Sequence, residues 1–168
     1  MASHDPLTEN HGAGLLSSAG VKRDSALIPL SRDHHQALFA AQQLRRAGED
    51  TAASARDAFL GFWRERGRAH FRAEEEVLLP AYAGHGDPHH PLVARALCEH
   101  AVIRHRADAL AGGAAAAVDD LHELARLLDD HVRLEERELF PLIEAALPQE
   151  DLAALGAALE QAERGAGT

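Results

Sequence analysis

The sequence predicts an all-α protein, folded as an antiparallel up-down-up-down four-helix bundle with a short C-terminal helix. Apolar residues recur at helical spacing along four long segments, and mostly short connections join these segments, which places consecutive helices antiparallel. The composition agrees, because Ala and Leu dominate a hydrophobic fraction of 46% while aromatic residues make up only 4%. With few β-branched residues as well, this balance favours helix over sheet.

The first two helices are predicted from capping residues and apolar periodicity. The first is expected to begin at Ser31, a favourable N-cap that closely follows Pro29, and to end at Gly48. The second is expected from about Thr51 to about Leu79. The apolar stripe of this second helix is predicted to carry Phe59, Phe62, Trp63, His70, Glu74, Val77 and Leu78.

The third and fourth helices repeat the plan of the first two. An Asp-Pro pair at 87–88 is a helix-start signal, and the third helix is expected to follow it and to reach about Leu110. The fourth is expected from about Ala115 to about Leu147, with Pro141 placed to kink it near its end. The inward face of the third helix is predicted to carry Val93, Ala96, Leu97, His100, Ile103 and Ala107.

These elements divide the chain into three regions. Residues 1–26 are rich in Gly, Ser, Ala and polar residues without a period, and we interpret them as a flexible N-terminal tail. Residues 27–147 are predicted to form the four-helix bundle. Residues 148–168 are predicted to form a short C-terminal helix and tail, whose amphipathic part from Glu150 to Glu163 packs outside the bundle.

Charge, hydropathy and cysteine content exclude several functional classes. The formal net charge is −10 and no Lys/Arg-rich stripe stands out, so nucleic-acid binding is not expected. No apolar run approaches ~18 residues, so no membrane span is expected. The first residues lack the features of a signal peptide, and a cytoplasmic location is the default expectation. The single cysteine, Cys98, excludes an intramolecular disulfide and a Cys-based zinc site and is interpreted as a small core residue.

An internal repeat is the most informative feature of the chain. Residues 70–80 match residues 131–141 without a gap at six of eleven positions. Each copy places a histidine four residues before a glutamate, and four helical residues turn through about 400°, so the two side chains share one face with Cα atoms roughly 6 Å apart. The spacing from His34 to His100 is similar to that from His70 to His131, so the first helix pair corresponds to the second.

Six residues on the apolar helix faces are candidate metal ligands. A lone histidine there is usually a core residue bonded to a carbonyl, but an unpaired carboxylate in a core costs several kcal/mol, so two such glutamates require a cation or basic partners. Imidazoles and carboxylates suit borderline transition metals, and each glutamate is placed to bridge two ions. His35, adjacent to His34, is an alternative first ligand. The candidates are His34, His70, Glu74, His100, His131 and Glu135.

The charged neighbours of the candidate metal ligands can be interpreted in more than one way. The acidic residues can bond an imidazole of a neighbouring helix, but a solvated acidic face is the commoner explanation. Arg104, one turn after His100, either stabilises a bound anion, pairs with Glu74 or Glu135, or packs its aliphatic part with its head in solvent. The acidic neighbours are Asp33, Glu75, Glu99, Asp130 and Glu136.

These motifs resemble the hemerythrin-like proteins that carry the HHE cation-binding domain, over roughly residues 27–147. The resemblance implies a non-haem di-iron centre bridged by Glu74, Glu135 and an oxo or hydroxo oxygen, with the four histidines as terminal ligands and manganese or zinc as less favoured metals. The motifs are Asp33-His34, His70-x-x-x-Glu74-Glu75, Glu99-His100, and His131-x-x-x-Glu135-Glu136 followed by Leu139-Phe140-Pro141.

The chain differs from the oxygen-carrying hemerythrins at two places. Arg104 stands where their third helix has a second histidine, and His131-x-x-x-Glu135 replaces their His-x-x-x-x-Asp. The chain is therefore more similar to the four-His, two-Glu members, which are associated with iron or oxygen sensing, with nitric oxide and peroxide responses and with iron–sulfur repair. The resemblance implies reaction with O₂, peroxide or NO in a redox or stress response.

The alternative is an iron- or oxygen-sensing module that binds a cation without catalytic turnover. Whether the protein is an enzyme stays open at this point. The sequence carries no motif that identifies a protein partner or a reductant.

Overall fold

The computed structural model describes residues 23–113 and 117–166, and within them it contains five helices and no strand. The predicted all-α fold class is confirmed. Among the helices of these residues, none combines the length and the apolar character needed to span a membrane.

Four long helices and a fifth one follow each other along the chain. The first helix is Ile28–Arg45, preceded by a 3₁₀ turn at Ser25–Leu27. The second runs without interruption through α-helical and π-helical turns at Ala52–Phe62, Trp63–Gly67, Arg68–Ala73, Glu74–Leu78 and Leu79–Ala83. The third is Pro91–Ala111, the fourth comprises Val118–Leu134, Glu135–Leu139 and Phe140–Ala146, and the fifth is Gln149–Ala166.

The first four helices form a closed bundle with two apolar clusters. The first helix packs on the second and the fourth, and the third packs on the same two, while the fifth lies over the second helix and the 3₁₀ turn. One apolar cluster is built around Phe59, Trp63 and Leu124, and the other around Leu78 and Phe140. The buried polar residues of the bundle contact both clusters, since Phe71 of the first cluster stacks on His100 and Phe140 of the second stacks on His34.

The first helix begins earlier than Ser31, the start that the sequence predicted. Asp24 caps the preceding 3₁₀ turn by accepting the Ala26 N–H at 2.9 Å. Pro29 lies in the first turn of the helix, where its missing N–H removes no intrahelical bond. Of the predicted tail, residues 1–22 lie outside the described residues, whereas Asp24 donates its backbone N–H to Glu144 of the fourth helix at 2.9 Å.

The third helix differs from prediction at two positions on its surface. Leu97 is 41% exposed and Cys98 is also exposed, so the prediction that both face the core is wrong. The buried stripe passes through Ala96 and His100, and each residue turns the helix by about 100°, so the two residues that follow Ala96 point away from the core.

Each copy of the internal repeat contains a π-helical turn followed by a proline. The turns are Glu74–Leu78 and Glu135–Leu139, and a proline stands two residues after each, at Pro80 and Pro141. A proline inside a regular α-helix removes a hydrogen bond and clashes with the carbonyl four residues before it. In both copies the wider turn precedes the proline and the helix continues past it.

Candidate metal centre

The structure brings all six predicted ligands together between the two apolar clusters. His34 and His70 come from the first two helices, and His100 and His131 from the third and fourth, each with its side chain directed to the bundle axis. The relative exposures are 2% for His34, 7% for His70, 1% for Glu74, 1% for His100, 1% for His131 and 1% for Glu135. Two carboxylates and four imidazoles therefore share a buried space.

Glu74 lies between the two histidine pairs. Its Oε1 is 3.3 Å from His70 Nε2, and 4.0 Å from His34 Nε2. Its other oxygen, Oε2, is 3.3 Å from His100 Nε2. One carboxylate oxygen therefore faces each side of the cluster.

Glu135 repeats this arrangement from the opposite helix. Its Oε2 is 3.0 Å from His34 Nε2, and its Oε1 is 3.3 Å from His131 Nε2 and 3.5 Å from His100 Nε2. Two four-residue groups result, each with potential ligand atoms within 4.8 Å of one another, and both groups contain both glutamates. The cluster therefore contains two groups of side chains that could each hold a metal ion, and these groups share both glutamates.

The inner atoms of the cluster have the bonding requirements of a cation site. Buried polar atoms in native proteins are nearly always hydrogen-bonded. Here the Nε2 atoms of all four histidines, both oxygens of Glu74 and Oε2 of Glu135 have no hydrogen-bond partner among the described residues. Among the described residues, these atoms face one another across the same buried space. The donor set, imidazole nitrogen and carboxylate oxygen, fits transition-metal ions.

Electrostatic coupling holds the cluster in a charged form. Burial alone would lower the pKa of His100, but the nearby carboxylates of Glu135 and Glu74 raise it to about 10. Burial and the charge of Glu74 raise the pKa of Glu135, yet the surrounding imidazoles lower it to about 2. Without a cation, imidazole protons therefore neutralise the two carboxylates. A cation that binds here displaces those protons.

A second set of carboxylates faces the outer nitrogens of the same imidazoles. His34 Nδ1–H donates to Glu136 at 2.7 Å. His100 Nδ1–H donates to Glu75 at 2.9 Å, and His131 Nδ1–H donates to Glu99 at 3.0 Å. For the fourth imidazole, His70 Nδ1 lies 3.7 Å from Asp33 Oδ2. Each carboxylate comes from the helix that precedes its histidine around the bundle. Because each carboxylate contacts the Nδ1 side of its imidazole, the Nε2 atom of that imidazole faces the centre of the cluster.

For these four acidic residues, the preferred interpretation as a solvated face is wrong. Asp130 does fit that interpretation, because it pairs with Arg126 at 3.2 Å on the surface. The duplication of the sequence distinguishes these four acidic residues from Asp130. Asp33 and Glu99 precede histidines at matching positions, and Glu75 and Glu136 follow glutamates at matching positions, whereas Asp130 corresponds to Ala69 in the other copy.

Several neighbouring residues are placed outside the central cluster. His35 is exposed and donates from Nδ1 to the Ser31 carbonyl at 2.8 Å, so it is His34 that joins the cluster. Arg104 pairs with Glu75 at 2.9 Å rather than with Glu74 or Glu135. Sequence reasoning did not identify Arg23, which bonds Glu136 at 2.9 Å from the segment before the first helix.

Substitution of the two adjacent histidines distinguishes their roles. His34→Ala is expected to remove one ion or both, because it deletes a ligand and leaves Glu135 without its nearest nitrogen. His35→Ala is the matched control and is expected to leave the metal content unchanged. Elemental analysis of both variants after loading with iron checks this. Equal losses in the two variants would contradict the geometric assignment of His34.

Comparison with known proteins supports the same interpretation of the site. A search of the curated proteins and a search of the solved structures gave no significant match. The family model of the hemerythrin HHE cation-binding domain matches residues 27–143, which span all six clustered residues and most of the chain. The chain therefore belongs to the hemerythrin HHE cation-binding domain family.

Proposed function

We propose that this bundle binds two iron ions as a non-haem centre and uses them to react with O₂, peroxide or NO in a redox or stress response. Glu74 and Glu135 are the proposed bridging ligands. The proposed terminal ligands are His34, His70, His100 and His131. The observation that carries the proposal is the placement of one oxygen of each buried glutamate toward each histidine pair.

The donor set supports iron or manganese over structural zinc. Each four-residue group offers two imidazole nitrogens and two carboxylate oxygens, a mixture that suits iron or manganese and lacks the thiolates common in structural zinc sites. A six-coordinate ion held by four protein atoms keeps open positions for small ligands. Iron bound here would supply one-electron redox chemistry at those positions.

The surroundings of the cluster favour a small reactant. A narrow cavity lies beside His34, His70 and His131, with a mainly apolar wall. Such a wall admits uncharged diatomic molecules more readily than large or strongly hydrated ones. Trp63 lines this cavity and is fully buried, and its indole Nε1 has no hydrogen-bond partner among the described residues.

The reaction is tested on protein loaded with iron under reducing conditions. Elemental analysis is expected to give a pair of irons per chain, and exposure to O₂ or peroxide is expected to produce near-ultraviolet charge-transfer absorption. Steady-state consumption of peroxide would identify an enzyme. A single spectral change without continued consumption would identify the alternative, a sensor. An iron pair that is inert to O₂, peroxide and NO would overturn the proposed reactivity.

The sensor alternative is favoured by one contact. Arg23 lies before the bundle and bonds Glu136, the carboxylate that accepts the outer N–H of His34. A change at the proposed metal centre therefore has a short hydrogen-bonded route to Arg23, which lies outside the bundle, and such a route suits a sensor without turnover.

The stability of the metal-free protein is expected to decrease as the pH rises. The His100 pKa is about 10 in the folded protein against an ordinary value of 6.5, so its contribution to stability is complete below pH 6.5 and lost as the pH rises through 10. Urea unfolding at about pH 6 and about pH 9 measures this change. The metal-bound protein is the control and should not weaken in this way, because its imidazoles bind ions rather than protons. Equal stability of the metal-free protein at both pH values would contradict the expectation.

A further inference from the structure

Each of the four outer carboxylates is also paired with an arginine. Glu136 pairs with Arg23 at 2.9 Å and Glu75 with Arg104 at 2.9 Å. The other two pairs are Asp33 with Arg66 at 3.3 Å and Glu99 with Arg95 at 2.8 Å. The arginines differ in exposure, with side-chain values of 17% for Arg23, 40% for Arg104, 55% for Arg66 and 54% for Arg95. Arg23 and Arg104 are the least exposed, so solvent screens their ion pairs least.

Arg23 binds the fourth helix through several groups at once. Its Nη2 donates to the Glu136 carbonyl at 2.6 Å and to Glu136 Oε2 at 2.9 Å, and its Nη1 lies 3.0 Å from Glu144 Oε1. The Glu136 carbonyl is available because of the π-helical turn. In a regular α-helix it would accept the Phe140 N–H, but that N–H bonds the Glu135 carbonyl instead.

The same arginine contacts both groups that hold His34 in place. Glu136 accepts the His34 Nδ1–H at 2.7 Å through Oε1, and Arg23 holds the other oxygen of this carboxylate. The guanidinium carbon of Arg23 lies 5.1 Å from the centre of the Phe140 ring. That ring stacks on the His34 imidazole, with centroids 5.3 Å apart and planes 13° from parallel.

Arg104 builds the equivalent arrangement on the other side of the cluster. It donates to both oxygens of Glu75, at 2.9 and 3.1 Å, and Glu75 accepts the His100 Nδ1–H at 2.9 Å. Its guanidinium carbon lies 5.9 Å from the centre of the Phe71 ring. That ring stacks on His100, with centroids 3.8 Å apart and planes 15° from parallel.

The two arrangements match in space but not along the sequence. Glu75 and Glu136 are equivalent positions of the internal repeat, whereas the two arginines are not. Arg104 belongs to the third helix. Arg23 precedes the first helix, and it also precedes residue 27, where the family match begins. This chain therefore completes one half of a near-symmetric arrangement with a residue from outside the bundle.

We propose that Arg23 and Arg104 are positioning residues for the two metal ions, each acting through one carboxylate and one stacked ring on one histidine. An imidazole whose outer N–H is fixed by a carboxylate keeps its ring orientation and is a more basic ligand. An arginine fixes that carboxylate in turn, through charge-assisted hydrogen bonds. Arg23 makes the ion beside His34 depend on the contacts that Arg23 and Asp24 form with the fourth helix. The proposal rests on the proposed binding of two metal ions.

Cobalt(II) is a suitable probe, because its visible absorption reports binding and it shifts the proton resonances of its ligands. The wild type, Arg23→Gln and Arg104→Gln are titrated with cobalt(II) in the metal-free form. Each variant is expected to bind one of the two ions more weakly, by up to about tenfold, since loss of a direct partner of a ligand typically costs 10- to 100-fold and the arginines act one bond further out. Arg68→Gln is the matched control, because Arg68 forms an exposed ion pair with Asp108 at 2.8 Å away from the cluster.

Nuclear magnetic resonance of the cobalt-loaded proteins identifies the histidine affected. Each ligand imidazole contributes one shifted, exchangeable Nδ1–H resonance. Arg23→Gln is expected to move the His34 resonance and to accelerate its exchange with solvent, and Arg104→Gln is expected to do the same to His100. Arg23→Lys keeps the positive charge but loses the two guanidinium nitrogens that contact Glu136 and Glu144, so an intermediate effect is expected. If Arg23→Gln does not fold, the same cobalt titration and resonance measurements are made on Arg23→Lys.

Three results would overturn the inference. Wild-type affinity and unchanged resonances in both variants, with at most a lower melting temperature, would show that the arginines only stabilise the fold. Movement of the same resonance in both variants would contradict their assignment to different ions. A wild-type protein that binds no pair of cobalt ions would contradict the proposed two-ion site, and the inference would be refuted with it. A bound pair with unaffected variants would refute the inference alone.

Discussion

Glu74→Gln is expected to abolish the binding of the metal pair. The glutamine keeps the shape of the side chain, but it replaces one oxygen by an amide nitrogen and removes the negative charge that both cation positions share. Because Glu74 Oε1 and Oε2 face different histidine pairs, both ions lose a ligand or a balancing charge. Elemental analysis after loading with iron should therefore find less than half of the wild-type metal content.

Glu76→Gln is the matched control for this substitution. Glu76 lies on the same turn of the second helix but is exposed, and its carboxylate lies 3.9 Å from Arg72 on the surface. The control is expected to bind as much iron as the wild type. If Glu74→Gln also retained a full complement, Glu74 would not bridge the ions.

Phe71→Ala is expected to lower the free energy of unfolding of the metal-free protein by about 3–5 kcal/mol, the usual cost of truncating a buried phenylalanine. Phe71 is 2% exposed and its ring contacts His100, His131 and Trp63, so the truncation leaves a cavity between the apolar core and the histidines. A loss of this size is a large part of the total stability of a typical domain. Urea unfolding followed by circular dichroism measures it.

Phe39→Ala provides the comparison for the loss of Phe71. Phe39 is 58% exposed on the first helix, so removing its ring is expected to change stability by less than about 0.5 kcal/mol. A Phe71→Ala protein as stable as Phe39→Ala would mean that the Phe71 ring does not support the histidine–glutamate cluster.

The sequence was sufficient to predict the fold class and the six clustered residues. Helical periodicity identified the bundle. The position of two glutamates on apolar stripes identified the centre, because buried carboxylates require a partner. The same stripe favoured His34 and left His35 as the alternative first ligand, since adjacent residues point about 100° apart. The structure agrees, with His34 buried and His35 exposed.

Other features depend on contacts between helices, which a single sequence does not display. The hydrogen bond from His34 to Glu136 joins the first helix to the fourth, and acidic residues beside ligands also occur on ordinary solvated faces. Arg23 lies in a segment without periodicity, so no helical pattern assigned it a position. The Glu136 carbonyl, which accepts a hydrogen bond from Arg23, does not accept the Phe140 N–H because of a local π-helical turn.

Helix boundaries were predicted less well for a related reason. Ser31 is a favourable N-cap, but Asp24 caps the 3₁₀ turn that precedes the helix. The helix itself begins at Ile28, and Pro29 lies in its first turn. In the second helix, the predicted end at Leu79 preceded Pro80, which would terminate a regular helix. The chain instead continues to Ala83 through the π-helical turn.

Anomalous diffraction at the iron absorption edge, measured on crystals of the iron-loaded protein, is the most direct test of the metal centre. Two anomalous peaks are expected, both between Glu74 and Glu135, one beside His34 and His70 and the other beside His100 and His131. A single peak, or peaks away from the two glutamates, would contradict the proposal of a carboxylate-bridged iron pair.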